Sequence, residues 1–419
     1  MLDVLIVGAG PAGAVAGTIL ARAGARVRIV DRARFPRDKL CGDTVNPGTL
    51  ARLQALNLAA DIDQRGLRID GMKVTGAGGV TIEGRYPAGL SGRAIVRRDF
   101  DWMLLRQAIA AGCQLDDGVA VRGAIVDEQG GGRSVSGAIV SSGGHPSPLT
   151  ARVTIAADGR HSTIAFGLGL ASHPPTPRRW AIGAYFENFM PNGVRSGSDP
   201  GLNRVRSGSD PSLIRVRSGS DPDLTPRFGE MHVRRGHYIG IAPVHGGLTN
   251  VCLVKPSFAG DAALGDPRSL LTRSMADDPL LRDRAADARL ISGPVVLGPL
   301  AVDVRDAAID GLLLAGDAAG FIDPMTGDGL RFAIHGGELA AAAGLQALAR
   351  GWAGVHSALA ADRRRAFGGK WRFNRGLRAM VASPFAIDAA AIGARIAPPL
   401  LRALISRAGD CQGARDKRE

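Results

Sequence analysis

The chain has 419 residues, 45% hydrophobic and 22% charged, which excludes an intrinsically disordered protein and predicts two or three domains at roughly 150 residues each. Its four cysteines, Cys41, Cys113, Cys252 and Cys411, are scattered without a C-x-x-C pair; this excludes a disulfide scaffold and a zinc ribbon and points to a reducing cytoplasm. The net charge of +13 is carried by arginine, with only five lysines among 52 basic residues, the mark of GC-rich codon usage rather than of a nucleic-acid surface.

In chain order, Asp3–Val7 reads as an apolar strand, Gly8–Gly13 as a turn, Ala14–Ala23 as a helix of small residues, and Arg26–Val30 as a second strand. No basic residue precedes this apolar start and three glycines break it, so it is not a signal peptide. No stretch reaches about 18 apolar residues without a charge or proline, so no membrane span is predicted. Helices are expected over Thr49–Leu58 and Phe100–Ala111. Hairpin strands are expected over Met72–Tyr86, and strands over Val119–Val126 and Ser134–Val140 around the turn Gly130-Gly131-Gly132. Val153–Ala157, Trp180–Phe189, His232–Val254 and Leu312–Ala315 have strand composition. A long helix begins near Gly329, and the remainder is helical with breaks at Pro384 and Pro398-Pro399. The heptapeptide Val194–Pro200 recurs from Val205 and Val216 and reads as an expanded surface loop, with a binding tag as the sharper alternative.

Three motifs carry chemistry. Val7–Gly13 spells V-G-A-G-P-A-G between a strand and a helix. Gly8 makes the turn, Gly10 lets backbone approach a pyrophosphate, Gly13 lets the helix pack on the sheet, and the helix N-terminus favours the phosphate charge. Asp31, at the end of the second strand, suits an adenosine ribose. Asp158-Gly159 follows another apolar strand. Asp317 follows a buried strand, where ligands of open α/β sheets bind, and Gly327-x-Gly329 opens a helix whose start suits the electron-rich edge of a reduced flavin.

These motifs, in this order, resemble the glutathione-reductase-type flavoproteins related to class A flavin monooxygenases. Phe35–Asp43 (F-P-R-D-K-L-C-G-D) and Arg97–Asp101 (R-R-D-F-D) resemble elements of the geranylgeranyl reductase family. The resemblance implies FAD as cofactor and NAD(P)H as a transient electron donor. It implies that Gly8, Gly10, Pro11, Ala12 and Gly13 hold the pyrophosphate, with Asp31 and Arg32 at the adenosine end. Cys41, Gly42 and Asp43 would line the flavin, and Arg97 would contact the cofactor. Asp158 and Gly159 would support it, and Asp317, Gly327, Gly329 and Leu330 would face the ribityl chain and ring.

Two departures bear on the reaction. The family's Y-x-W-x-F-P element is here Tyr238-Ile239-Gly240-Ile241-Ala242-Pro243, so both bulky aromatics are gone and the pocket is expected to be roomier. The W-x-W-x-I-P element of flavin-dependent halogenases is absent, which argues against halogenation. No metal site is expected: His232, His237 and His245 read as surface or loop histidines, with His232 and His237 on opposite strand faces. Cys41 reads as a packing residue rather than a redox thiol. From 341 to 419 there are 14 basic and 5 acidic residues, including Arg363-Arg364-Arg365 and Lys370–Arg375. With Phe385, Leu400, Leu401, Leu404 and Ile405 interleaved, this region reads either as a solvated helical cap or as a basic surface resting on the inner membrane face.

The expected fold is α+β/α/β. A discontinuous FAD-binding Rossmann domain of glutathione-reductase type spans 1–69, 96–170 and 292–345. An antiparallel-sheet substrate domain spans 70–95 and 171–291, with the repeat loop at 191–227, and a basic helical C-terminal extension spans 346–419. The expected function is reduction of a carbon–carbon double bond in a lipophilic, isoprenoid-like substrate by hydride from reduced flavin. Asp43 and Tyr238 are the candidate proton donors. A monooxygenase acting on an aromatic or lipophilic substrate, and a non-catalytic flavin-bound electron carrier, are the alternatives. Nucleic acid is not an expected partner.

Overall fold

A computed structural model describes residues 2–76, 80–129, 132–176, 178–189 and 227–383, with 403, 406, 407, 409 and 411. The heptapeptide repeats, the Gly130-Gly131 turn and the breaks at Pro384 and Pro398-Pro399 lie outside the described residues, as do Phe385, Leu400, Leu401, Leu404 and Ile405.

The first sheet is built on β1 (Leu2–Val7), which feeds α1 (Pro11–Arg22) and returns as β2 (Val27–Asp31). After α2 (Pro47–Ala55), the hairpin β3 (Gly71–Thr75) and β4 (Thr81–Arg85) leaves for a second sheet, and α3 (Arg97–Ala110) brings the chain back to β5 (Gln114–Asp117). Then β6 (Ala120–Gln129), β7 (Gly132–Ser142) and β8 (His145–Ala156) form an antiparallel meander. The last part of β8 pairs parallel with β1, and β1 with β2; Val7 therefore lies level with Val30 on one side and Ala156 on the other.

The predicted strand Val153–Ala157 is thus only the end of a 12-residue strand. Pro146 and Pro148 hid its beginning. That half pairs on one side only, with β7, where a missing N–H can face outward. The alternation of the strands divides the core in two. Val4, Ile6, Ile29, Val153 and Ile155 pack under the helices, while Leu5, Val7, Val30 and Ala156 pack under the meander.

The second sheet contains β9 (Arg179–Glu187), β10 (Phe228–Arg234), β11 (His237–Pro243) and β12 (Thr249–Pro256), in the order β9-β12-β11-β10-β3-β4. Its pairs are antiparallel except β10 with β3. One face carries Ile182, Phe186, Ile239, Ile241, Val251 and Leu253, and α4 (Pro267–Ala276) covers it through Leu271 and Met275. On the opposite face Gly183, Cys252, Gly240 and Met231 lie in one row across four strands, flanked by Tyr185 and Asn250 on one side. The chain then returns to the first sheet as β13 (Leu312–Leu314), parallel to β8, and continues into α5 (Gly329–Arg350) and α6 (Val355–Ala382).

Two sequence expectations are corrected here. His232 is fully buried, with its ring nitrogens 2.9 Å from Thr75 Oγ1 and 3.0 Å from Glu230 Oε2. It and His237 lie on adjacent strands rather than on two faces of one. The basic C-terminal run is not one charged surface. Arg364, Arg365, Arg372 and Arg375 are exposed on one side of α6, whereas Arg363 and Lys370 point into the protein. Helical spacing of 100° per residue separates the two sets. Among the described residues, no helix is long and apolar enough to cross a membrane.

Candidate flavin and substrate site

The carboxyl ends of β1, β2, β8 and β13 share one edge of the first sheet, and each delivers one of the sequence motifs there. The approaches are close enough to require glycine. Gly8 has φ +103°, and a methyl on it would lie 2.4 Å from Ala157 O; one on Gly13 would lie 1.9 Å from Gly8 O. Gly10 differs: the nearest atom to such a methyl is Arg37 Nη2 at 3.6 Å, so its backbone faces open space. Helix α1 begins there with Pro11 and Ala12 and without a side-chain cap, which leaves its N-terminal N–H groups for an anion. Asp31 accepts from Ala9 N and Ala33 N, both at 2.8 Å, and so ties β2 to the glycine turn, with Arg32 exposed beside it.

Around this cradle stands a cationic group. Arg97 is buried and donates to both oxygens of Asp101 at 2.7 and 2.9 Å, and Arg37 reaches Asp101 at 3.0 Å. Arg97 also bonds the Cys41 sulfur; burial pulls its pKa down, but the charges of and hydrogen bonds to Asp101 and Cys41 together outweigh this and hold it up. Lys39 is pushed down to about 8 by burial and the Arg97 charge, and it feels the opposing charge of Asp317. Burial raises Asp158, whose Oδ1 has no partner, and Arg160 Nε is likewise buried without one. Unsatisfied buried groups of this kind, beside an open glycine turn and a free helix start, fit a dinucleotide such as FAD. Gly159 (φ +86°) lies beneath Lys39, and Gly316, next to Asp317, packs on Ala12.

Two further loops face each other across the cradle. In the first, Cys41-Gly42-Asp43, Asp43 is 0% exposed and takes a left-handed backbone, φ +51°. Its Oδ2 accepts the Tyr185 hydroxyl at 2.6 Å and the Asn250 amide, while Oδ1 has no partner. Burial pushes this carboxyl up to about 6, against the two hydrogen bonds, which pull it down. In the second loop, Gly327 (φ +67°) closes the turn Pro324–Thr326, and Gly329 opens α5. A methyl on Gly327 would sit 3.7 Å from Thr44 Oγ1, so the loops touch. Leu330 is buried in the core cluster that holds Ala9 and Ala12.

Sequence reasoning missed the residues that hold these loops. Tyr185 and Asn250 are register partners on β9 and β12; a tyrosine and an asparagine on otherwise apolar strands were the available signal. From α6, Lys370 donates to buried Asp328 at 3.1 Å and Asn374 lies 3.5 Å from it. Arg363 donates to Ala319 O at 2.5 Å and lies over the rings of Phe367 and Trp371. The C-terminal helix therefore clasps the second loop. Tyr238 is not beside Asp43: its hydroxyl donates to Asp323 Oδ1 at 2.6 Å, and burial raises it well above the ordinary tyrosine range. As a proton donor it is poorly suited, and the two candidates belong to different places.

The FAD binding domain family matches residues 1–192. The menaquinone reductase of Mycolicibacterium smegmatis is 29% identical over 345 residues, covering 81% of this chain and 75% of the relative. The digeranylgeranylglycerophospholipid reductase of Methanosarcina mazei is 25% identical over 362 residues, covering 83% and 76%. Among solved structures, a flavin-dependent brominase variant superposes with a TM-score of 0.77 at 20% identity over 100% of this chain and 98% of that one. The myxobacterial chondrochloren halogenase gives 0.75 at 20% identity over 97% and 90%. At such identities the structural likeness speaks for the fold. Residues 1–192 thus match the FAD binding domain family, and most of the chain is similar in sequence to menaquinone and digeranylgeranylglycerophospholipid reductases.

Proposed function

We propose that the protein reduces a carbon–carbon double bond of a lipophilic, isoprenoid-like substrate, with Asp43 supplying the proton. The observation that carries this reading is the Asp43 carboxyl: fully buried, raised to about 6, and left with one unpartnered oxygen in a loop that meets the Gly327 turn. A bound reduced flavin supplies the hydride. The chain's task is then to hold the alkene and deliver H⁺ to the carbon next to the one that takes hydride. Tyr185 and Asn250 fix Oδ2, which leaves Oδ1 to carry the proton. The result is two new C–H bonds, an oxidised cofactor and an Asp43 carboxylate that is reprotonated from solvent. NAD(P)H is the proposed source of the electrons.

The row Cys252–Gly240–Met231 supports an apolar substrate, bounded by Leu40, whose Cδ1 would lie 2.4 Å from a methyl on Gly183. A methyl on Gly240 would have neighbours no nearer than 3.9 Å, so there is space over the strand where the aromatic of the resembling motif is missing. The exposed arginines of α6 are proposed to bring this site to an anionic lipid surface. The reading also rests on the names of the relatives, which act on a menaquinone and on a digeranylgeranyl glycerophospholipid.

The test is product mass after turnover of reconstituted enzyme with geranylgeraniol and NADPH. A gain of two hydrogens under anaerobic conditions is expected. A product that gains one oxygen, and only in air, would replace this reading with a monooxygenase.

A further inference from the structure

The flavin-side face of β9 ends in a charged residue that none of the preceding chemistry uses. Arg179 lies on the same side of the strand as Ala181, Gly183 and Tyr185, at the opposite end from Tyr185. It is 3% exposed, and Nε and both terminal nitrogens lack a hydrogen-bond partner. Its nearest counter-charge is Asp323, whose Oδ2 lies 3.8 Å from Nε, too far for a hydrogen bond, and is itself without a partner. The other Asp323 oxygen is occupied by Tyr238 and by Met325 N at 3.0 Å.

An arginine cannot neutralise itself by losing a proton, so a buried guanidinium with five unmet N–H donors is a standing cost. Asp323 does not cancel it. Burial raises that carboxyl toward its neutral form, and Arg378 of α6 adds a second positive charge nearby. The residues around Tyr238 include Met231, Met325 and Met380, all half-buried. Unbranched, flexible side chains such as these can yield to a ligand.

We propose that Arg179 anchors an oxyanion, a carboxylate or a phosphate, at the polar end of the lipophilic substrate. The anchor rests on the reading of the apolar sheet face as the substrate site. It adds a selectivity: an amphiphile with an acid at one end, passing over Gly240 with its alkene toward Asp43. The terminal nitrogens would engage the oxyanion in the two-pronged geometry that a guanidinium offers.

The test measures binding to oxidised, FAD-loaded protein through the flavin absorbance change, without turnover. The probes are geranylgeranyl monophosphate, geranylgeranoic acid and geranylgeraniol. At least one acid is expected to bind about 10- to 100-fold more tightly than the alcohol, the range for a charge-assisted hydrogen bond; the stronger of the two identifies the head group. Arg179→Gln should remove that preference and leave the alcohol within about twofold, and Arg179→Lys should retain part of it. If Arg179→Gln does not hold FAD, the preference of the wild-type protein decides. Equal binding of acids and alcohol, or no binding of any, overturns the proposal. So does displacement of the monophosphate by inorganic phosphate at equal concentration, which would make this a free-anion site. Acid preference in a protein that never reoxidises anaerobically would leave the anchor standing and remove the reductase reading.

Discussion

The two buried tyrosine–aspartate pairs differ in what completes them. Asp43 and Asp323 each accept a tyrosine hydroxyl at 2.6 Å, and burial raises both carboxyls. Around Asp43 the side chains bonded to Oδ2, Tyr185 and Asn250, are neutral, and the Arg97 charge pulls the carboxyl's pKa down less than burial raises it. Around Asp323 the environment is cationic, with Arg179 and Arg378 in reach of one carboxylate. The same side-chain pair therefore serves two purposes. At Asp43, where burial outweighs the Arg97 charge, it is proposed to make an acid that carries a proton near pH 6. With an unmatched guanidinium, it becomes one wall of a place for negative charge. Orphaned polar atoms occur at both, as expected where a fold gives up local stability for function.

The largest effect should come from Asp43→Asn, which keeps the shape and removes the proton. Single-turnover reduction should fall by about 10²- to 10⁴-fold, the range for general acid catalysis, with FAD still bound. Asp323→Asn should break the symmetry in the other direction, leaving the pH profile of turnover alone. It should tighten binding of geranylgeranyl monophosphate only slightly, by about twofold, because burial already disfavours the competing negative charge at Asp323.

The pH dependence sharpens the contrast. If Asp43 must be protonated, the wild-type rate declines above about pH 6, and the decline is absent in Asp43→Asn. Tyr185→Phe removes a hydrogen bond that favours the carboxylate, so the inflection should move to higher pH; Tyr238→Phe should not move it. Thermal unfolding gives the sign independently. A carboxyl raised from 3.8 to about 6 in the folded state contributes stability that is full below about pH 4 and lost as pH rises through 6. Melting temperature should therefore drop between pH 4 and 7, by less in Asp43→Asn. A small effect is expected at the clasp: Asn374→Ala should speed FAD release by about three- to tenfold by loosening the Asp328 turn.

The legible and illegible parts of the molecule divide by the range of the interactions. Gly8, Gly13, Asp31 and Gly327 could be read from sequence because turns, helix starts and strand ends impose local requirements on residue type. The Tyr185–Asp43 bond spans 142 positions and the Lys370–Asp328 bond 42. Neither spacing repeats a period, so nothing local announces them. Tyr238 was visible as a motif residue, yet its partner depends on which end of the sheet meets the Asp323 loop. The basic run of α6 misled for a related reason. Charge counting cannot tell Arg363 and Lys370, which face inward, from the four arginines that face out.

In the proposed reaction, hydride and the Asp43 proton meet on an alkene held against the second sheet. Anaerobic stopped-flow mixing of photoreduced, FAD-loaded wild-type protein with geranylgeraniol tests it most directly. Rapid return of the oxidised flavin spectrum is expected, slowing above about pH 6, with a dihydro product in equal amount. A flavin that stays reduced until oxygen enters would contradict it.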